Sequence, residues 1–280
     1  KVMNAIEIKG LKKSYADFVL DDLDLTLPSG CIMGLIGENG AGKTTAIKLI
    51  LGMTKRDAGS IEVLGHDNSV GFTEVRQDIG VVLDEAGFPG CLTARQVSRV
   101  MSGIYARWDE KKFFEYIERF DIPTGKPFGD FSKGTKMKLS IAAALSHDPK
   151  LLILDEPTVG LDPVVRDEVV DIFSEFTRDE NHSILISSHI VSDLEKLCDY
   201  VAFIHKGKLM LCEEKDMLLA EYGIIRGTVD ELRKIDPAAI KGLKENAYGA
   251  CAIAERRAVP EGFEISPVSI EDLFLFMVKG

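Results

Sequence analysis

The chain has 280 residues, of which 45% are hydrophobic and 28% charged, and this composition excludes a wholly disordered protein because it can fill a large core. The net charge of −11 argues against binding duplex nucleic acid by neutralising its phosphates, so no nucleic-acid partner is expected. The five cysteines are scattered without a C-x-x-C spacing, which argues against a disulfide framework or zinc site and favours a reducing compartment. No run approaches the roughly 20 apolar residues of a membrane helix, so any role at a membrane would need a partner subunit.

The first third of the chain predicts four strands and one helix. Partial alternation over residues 6–14 and 19–27 indicates two short strands, and the polar turn between them favours an antiparallel pair. Residues 31–36 form an apolar run typical of a buried strand, and residues 43–53 predict a helix. A further apolar run at residues 79–83 predicts another buried strand.

The middle of the chain changes to a helical pattern. Between residues 93 and 146 the apolar side chains recur three and four positions apart, as do Val97, Val100, Met101 and Ile104. The block of about residues 88–148 should therefore be an inserted helical subdomain.

Beyond this block the strands return. Short apolar runs predict strands at residues 151–154 and 184–186, with a helix at residues 164–176 between them. Residues 200–212 are typical of a hairpin that turns at a Lys-Gly pair. Residues 221–280 consist of mixed short segments with several glycines and prolines, which we interpret as a small α/β appendage.

The order of these elements predicts the fold class. Strands that alternate with helices over residues 1–220 favour an α/β fold with a mainly parallel sheet and helices on both faces. The antiparallel N-terminal strands, the helical insertion and the C-terminal appendage at residues 221–280 would be added to this core.

A phosphate-binding pattern lies between the strand at residues 31–36 and the following helix. Residues 37–45 read Gly-Glu-Asn-Gly-Ala-Gly-Lys-Thr-Thr and match G-x-x-x-x-G-K-[ST], a phosphate-loop (P-loop) pattern; we call them the phosphate loop. Glycines let the backbone N–H groups point at phosphate oxygens, and the helix directs its positive end at the same place. A chance glycine turn is the alternative, and the position between a predicted strand and a predicted helix argues against it. The predicted ATP contacts are Asn39, Gly40, Ala41, Gly42, Lys43, Thr44 and Thr45.

Two of these residues have distinct expected tasks. Lys43 supplies a cation for the β- and γ-phosphates, and the Thr44 hydroxyl is a candidate ligand of Mg²⁺.

Polar side chains follow the strands predicted at residues 151–154 and 184–186. Ligands of open parallel sheets bind beyond the carboxyl ends of strands, so we expect Asp155 to hold Mg²⁺ and Glu156 to polarise the attacking water. An acidic turn that merely ends the strand is the plainer alternative. His189 follows the second strand and is a candidate contact of the γ-phosphate, whereas the other four histidines are interpreted as structural.

In this order the motifs resemble the nucleotide-binding domains of ABC transporters, over about residues 4–215. The discriminating segment is residues 131–136, Phe-Ser-Lys-Gly-Thr-Lys, just before a helix predicted at residues 137–145. It is similar to the family's signature loop, usually L-S-G-G-Q, and we call it the signature loop. It keeps the serine and second glycine as Ser132 and Gly134, and its departures at Phe131, Lys133 and Thr135 are similar to exporter-type subunits. A plain helix N-cap at Ser132 is the alternative interpretation.

The resemblance implies roles for residues that no pattern alone identifies. Tyr15 falls where the family stacks an aromatic ring on adenine, and Asp162 falls in the loop that contacts the opposite subunit. Ser132 and Gly134 would serve the ATP of a second subunit, and His189 matches the switch histidine. Asp84 stands where the family usually has a glutamine that senses Mg²⁺, so the resemblance makes it a candidate metal ligand and puts a simple transfer of the glutamine's role in doubt.

The function implied by the resemblance is ATP hydrolysis that powers transport, in the export direction, through a separate membrane permease. Two copies, or one copy and a sister subunit, would sandwich two ATP molecules with Mg²⁺ at the cytoplasmic face of the membrane. The Ser-Ile-Glu-Asp-Leu-Phe segment at residues 269–274 resembles a tail common in exporters of small solutes, lipids and antibiotics. An ABC-type ATPase of translation or DNA maintenance is the alternative, although such proteins usually carry paired domains or long coiled coils. Intact Glu156 and His189 oppose a third interpretation, a binding module without catalysis.

Overall fold

The computed structural model describes residues 4–84, 87–246 and 249–279 of the chain. Within these ranges the strands form three sheets, which are connected by helices of 4 to 14 residues. The strands in chain order are β1 (Asn4–Ser14), β2 (Val19–Pro28), β3 (Ile32–Ile36), β4 (Ala58–Val63), β5 (His66–Asp67), β6 (Ile79–Val82), β7 (Leu151–Asp155), β8 (Ser183–Ser188), β9 (Tyr200–His205), β10 (Lys208–Glu214), β11 (Tyr222–Gly227), β12 (Ile240–Asn246), β13 (Gly249–Glu255) and β14 (Ile265–Ser266).

The helices lie mostly between the strands of the central sheet. In chain order they are α1 (Lys43–Ile50), α2 (Phe72–Val75), α3 (Ala94–Ser102), α4 (Glu110–Arg119), α5 (Lys133–Leu145), α6 (Pro163–Phe176), α7 (Val191–Leu197), α8 (Lys215–Glu221), α9 (Val229–Leu232) and α10 (Ile270–Lys279). Short 3-10 turns occur at Arg76–Asp78, Phe128–Asp130, Pro237–Ala239 and Arg256–Ala258. Over the described residues, none of these helices has both the length and the apolar composition needed to cross a bilayer.

The central sheet has six strands in the order β10-β9-β3-β8-β7-β6, and all are parallel except β10. Its middle strands are buried on both faces, which explains their continuous apolar runs. In β7, Leu152 and Leu154 pack into the core that contains the residues of α5 and α6, whereas Leu151 and Ile153 pack toward α1 and the N-terminal strands. The predicted mainly parallel α/β fold is therefore confirmed.

The N-terminal strands form a separate antiparallel sheet in the order β2-β1-β4-β5. The β1–β2 pair matches the expected hairpin, and its buried face shares a core with α1 and the central sheet. Strands β4 and β5 complete this sheet, although the sequence analysis did not predict them.

The block of residues 88–148 contains α3, α4 and α5, each opened by a polar side chain that caps its N-terminus. Thr93 forms a capping box with Gln96, and the Asp109 carboxylate accepts a hydrogen bond from the amide of Lys112. Ser132 caps α5, so this helix begins at Lys133 and not near residue 137, as the apolar pattern suggested. The signature loop therefore provides the first turn of α5.

Two further boundaries differ from the predictions. Helix α1 ends at Ile50, before the expected residue 53, because Gly52 adopts a left-handed conformation (φ 65°) that terminates it. The strand expected at residues 31–36 begins one residue later, at Ile32.

The C-terminal residues build a third sheet in the order β12-β13-β11-β14, which begins at Tyr222, close to the expected boundary. Helix α10 connects this sheet to the rest of the chain, because the Phe274 ring packs edge-on against Phe203 of β9 with centroids 5.4 Å apart. The division into a domain at residues 1–220 and an accessory region at residues 221–280 stays a prediction.

Candidate active site

The phosphate loop joins the end of β3 to the start of α1 and wraps around the ammonium group of Lys43. Gly40 and Gly42 have φ values of 80° and 115°, which favour glycine, and a Cβ at Gly42 would lie 2.8 Å from Cζ of Phe18. Lys43 is 6% exposed, and its Nζ donates a hydrogen bond to the carbonyl oxygen of Gly37 at 2.7 Å. The ammonium group is thus held inside the loop by the backbone carbonyl oxygens of Gly37 and Glu38.

A pair of oxygen-bearing side chains lies beside this cation. The Thr44 hydroxyl donates to Oδ2 of Asp155 at 2.8 Å, and Asp155 is almost fully buried at the end of β7. Hard cations such as Mg²⁺ prefer oxygen ligands and are usually held by one or two carboxylates, waters and substrate phosphates. The hydroxyl and carboxylate oxygens of Thr44 and Asp155 fit that set of donors, and they lie next to where phosphates would bind.

Ser187 fixes both carboxylate residues and was missed as a site residue by the sequence analysis. Its hydroxyl donates to Oδ1 of Asp155 at 2.5 Å, and Oγ of Ser187 itself accepts a hydrogen bond from the amide of Glu156 at 3.1 Å. Ser187 lies opposite Asp155 in the parallel pair of β7 and β8. Serines at the end of an apolar strand were the only signal in the sequence, because the register of distant strands is not visible there.

Glu156 sits at the centre of the polar groups in a strained backbone conformation. Its φ of 52° is left-handed, which non-glycine residues adopt at some cost in free energy. One carboxylate oxygen lies 3.2 Å from Nζ of Lys43, and the other lies 2.9 Å from Nδ1 of His189. Glu156 thereby joins the phosphate loop to the end of β8.

His189 is the most accessible of these groups, with 42% of its side chain exposed. Its backbone amide also donates to Oε2 of Glu156 at 3.3 Å, so the loop after β8 is held to the carboxylate twice. His147, in contrast, is buried, stacks on Tyr105 with ring centroids 3.7 Å apart, and has a structural environment.

A cleft of about 1020 Å³ opens in front of the phosphate loop. Tyr15, 47% exposed, stands at its mouth with Lys13 Nζ 5.5 Å from the ring centroid, and Phe18 lies deeper against Gly42. The sequence analysis singled out Tyr15 but not Phe18. The remaining lining residues are Asp17, Glu38, Asn39, Gly40, Gly42, Lys43, Thr44, Thr45, Lys48, Met53, Leu83, Asp84, Asp155 and Glu156.

The two signature-loop residues expected to contact ATP do not line this cleft. Ser132 accepts a hydrogen bond from the amide of Thr135 at 3.2 Å, and a Cβ at Gly134 would lie 3.5 Å from the carbonyl oxygen of Gly160. Among the described residues that line the cleft, neither Ser132 nor Gly134 is found. These two residues therefore do not complete the site of their own chain.

Asp84 lies at the edge of the cleft, but its carboxylate is engaged elsewhere. Oδ1 of Asp84 is 2.7 Å from Nζ of Lys133, in the signature loop. The carboxylate that was considered as a metal ligand thus forms an ion pair with the residue that replaces the first glycine of the usual signature.

Comparisons with known proteins agree with this geometry. A sequence profile described as "ABC transporter" matches residues 20–159. The chain is 38% identical over 212 residues to the bacitracin transport ATP-binding protein BcrA of Bacillus licheniformis, covering 75% of this chain and 68% of that protein. It is 36% identical over 217 residues to the lantibiotic transport ATP-binding protein SrtF of Streptococcus pyogenes, covering 75% and 91%.

Comparison of the fold with solved structures leads to the same family. The solved structure of an ATP-binding subunit of an ABC transporter superimposes with a TM-score of 0.69 at 27% identity, covering 76% of this chain and 91% of that one. A phosphate loop, a buried carboxylate next to its threonine and a second carboxylate against its lysine are the parts that ATP hydrolysis requires. The chain belongs to the ABC transporter family, as an ATP-binding and ATP-hydrolysing subunit.

Proposed function

We propose that two copies of this chain enclose two ATP molecules with Mg²⁺ and that hydrolysis drives a separate membrane permease in the export direction. The observation that carries the proposal is the contact of Glu156 with both Lys43 and His189, in a cleft that Ser132 and Gly134 of the same chain do not line. Such a site holds the groups that bind and cleave ATP but lacks the residues expected to cover its γ-phosphate.

The phosphate loop binds the phosphates of ATP and Tyr15 stacks on its base. Thr44 and Asp155 would hold Mg²⁺, which supplies charge neutralisation at the β- and γ-phosphates. Lys43 contacts Glu156 in this structure at 3.2 Å and turns to the phosphates when they enter, because their charge is larger.

Glu156 then accepts a hydrogen bond from the attacking water and polarises it. Its carboxylate is 12% exposed and is oriented by His189, so it is held in one place at the cleft edge. His189 donates to the γ-phosphate and links the presence of that group to the loop after β8. These assignments remain part of the proposal.

Ser132 and Gly134 cover the γ-phosphate bound by the other copy. The amides at the start of α5 are suited to an anion, and Gly134 leaves room for the close approach of a phosphate. Release of phosphate removes the bridge between the copies and lets them separate.

The permease docks beside the helical block, next to the cytoplasmic face of the membrane. A groove there is lined by Phe88, Pro89, Phe128 and Met137. Asp84 lines both this groove and the nucleotide cleft, so a movement of Asp84 would change the groove as well as the cleft. The export direction is supported by a relative that is 34% identical over 225 residues, the Nod factor export ATP-binding protein I of Rhizobium sp. (strain N33).

The Glu156→Gln variant tests the catalytic part. Loss of a positioned base lowers turnover roughly 10²–10⁴-fold, while ATP binding and the fold persist because glutamine has the same shape. The variant should accumulate as an ATP-dependent dimer in light scattering. Hydrolysis near the parental rate would remove Glu156 from its assigned role.

A mixture of Lys43→Ala and Gly134→Asp chains tests the two-copy arrangement. Each variant alone has two defective sites, but a mixed dimer contains one site with both elements intact, so the mixture should regain hydrolysis. Absence of recovery, with mixed dimers demonstrated by differential tagging, would show that each chain completes its own site.

A further inference from the structure

The Asp84–Lys133 ion pair joins two positions at which this chain departs from the common form of its family. Nζ of Lys133 and Oδ1 of Asp84 are 2.7 Å apart, with 53% and 35% of their side chains exposed. The pair spans from the end of β6, at the edge of the nucleotide cleft, to the first turn of α5. It therefore connects the cleft to the signature loop of the same chain.

Lys133 is positioned for an anion and not for the stability of its own helix. It is the first residue of α5, where a cation opposes the positive end of the helix dipole, and Lys136 adds a second cation in the same turn. No acidic residue lies in this first turn. Of the described groups, the Asp84 carboxylate is the one recorded in an ion pair with Lys133.

The stem of Lys133 keeps the ammonium group near the loop after β7. A Cβ at Gly160 would lie 3.3 Å from Cδ of Lys133, so the side chain runs along the backbone of Gly160 and reaches Asp84 at its end. Gly134, the neighbouring residue, contacts the same segment through Leu161. Lys133 thus lies next to the glycine that covers the partner's nucleotide in the proposed two-copy arrangement.

We propose that Lys133 is a binding residue for the γ-phosphate of the ATP held by the partner copy, and that Asp84 of its own chain neutralises it until the two copies close. This inference rests on the proposed function. The Asp84–Lys133 contact competes with the phosphate contact because the Lys133 ammonium group cannot lie against both anions at full strength. Both side chains are partly exposed, so the ion pair is worth roughly a factor of one to five and opens readily.

The test measures ATP-dependent dimerisation in the Glu156→Gln background by light scattering as a function of protein concentration. Lys133→Met should weaken the ATP-bound dimer at least about tenfold, since each dimer loses two charge-assisted contacts. Asp84→Asn should strengthen it by about two- to twenty-fold, since both ammonium groups are released from their carboxylates. In the Lys133→Met chain, Asp84→Asn should then have no effect.

Two measurements separate this role from a structural one. Lys133→Arg should restore ATP-dependent dimerisation, and binding of a fluorescent ATP analogue to dilute, monomeric protein should be the same in the Lys133 variants as in the parent because the contact is made only by the partner. Lys150→Met is the matched control: Lys150 is also in an ion pair, 3.0 Å from Asp78, and is 55% exposed, but lies away from the cleft.

The outcomes distinguish the inference from the function on which it rests. If Lys133→Met dimerises like the parent, or if Asp84→Asn strengthens the dimer even without Lys133, the inference is wrong while the two-copy arrangement stands. If Asp84→Asn weakens the dimer, Asp84 does not hold Lys133 back and the inference is equally wrong. If the Glu156→Gln parent shows no ATP-dependent dimer, both proposals fail.

Discussion

Replacement of Ser187 by alanine should weaken both the fold and the site, because one buried hydroxyl holds the two carboxylate residues. The hydroxyl is fully buried, donates to Asp155 at 2.5 Å and accepts from the amide of Glu156 at 3.1 Å. In Ser187→Ala, Asp155 keeps its contact with Thr44, and the Glu156 amide keeps the Ser187 carbonyl at 3.1 Å. The variant therefore should fold, with one charged acceptor less satisfied.

The expected magnitude follows from the kind of hydrogen bond that is lost. A buried hydrogen bond to a charged group contributes about 1.5–3 kcal/mol, against about 1 kcal/mol for a neutral one. For a chain of this size, a loss of 1 kcal/mol lowers the melting temperature by about 2–4 °C, so Ser187→Ala should melt about 3–12 °C below the parent. Thermal unfolding without nucleotide, followed by circular dichroism, measures this shift.

Ser183→Ala is the matched control because Ser183 opens the same strand and is equally buried. Its hydroxyl accepts a neutral hydrogen bond from the amide of Gly30 at 2.9 Å, at the start of β8 and so at the opposite end of the strand from the carboxylates. It should lower the melting temperature by about 2–4 °C and leave the rate of ATP hydrolysis unchanged.

Turnover separates the two serines further. Glu156 has a φ of 52°, and a backbone in this conformation persists only when its surroundings hold it. With one of its two amide contacts removed, the Glu156 carboxylate shifts, and ATP hydrolysis should fall by about 10- to 100-fold. If Ser187→Ala melts no lower than Ser183→Ala and hydrolyses ATP at the parental rate, Ser187 does not hold the carboxylates and the reasoning is refuted.

Three further outcomes are expected. Tyr15→Ala should weaken binding of a fluorescent ATP analogue by about tenfold through loss of base stacking, whereas Tyr15→Phe should bind like the parent; equal affinity of all three would exclude stacking. Gly207→Ala should lower the stability by more than about 2 kcal/mol in urea unfolding, because φ is 78° and the Cβ would lie 1.8 Å from the carbonyl oxygen of Val19. Burial lowers the pKa of His147 to about 4, so as the pH falls the unfolded chain binds a proton on this histidine before the folded chain does. The free energy of unfolding should therefore decrease by about 3 kcal/mol as the pH falls from about 6.5 towards 4. In His147→Phe this part of the pH dependence of unfolding should disappear, and an unchanged profile would contradict the assignment.

The phosphate loop and the strand ends could be predicted from the sequence because their chemistry lies within short continuous segments. The spacing of glycines and lysine from Gly37 to Lys43 suits a loop that wraps around a phosphate. The apolar run before Asp155 predicts a buried strand that ends there. The same holds for the mainly parallel sheet, since each strand and helix carries its own hydrophobic period. The spacing of motif residues and the periodicity of apolar residues can both be read directly from the amino-acid sequence.

The boundaries of helices were less predictable because capping side chains compete with the apolar pattern. The pattern placed the start of α5 near residue 137, but the Ser132 hydroxyl accepts a hydrogen bond from the amide of Thr135 and begins the helix at Lys133. This difference matters for function, because it puts the signature loop on the rigid first turn of a helix.

The fold class, the phosphate loop and the pair of carboxylates could be predicted because each depends on short segments whose residues are close together in the chain. The folded chain was needed to show which distant residues meet: Ser187 with Asp155, His189 with Glu156, and Lys133 with Asp84. The physical reason is that these contacts depend on strand register and on how α5 packs beside β6, which are set by the burial of the whole core. A single side chain gives no sign in the sequence of which distant partner that core will bring to it.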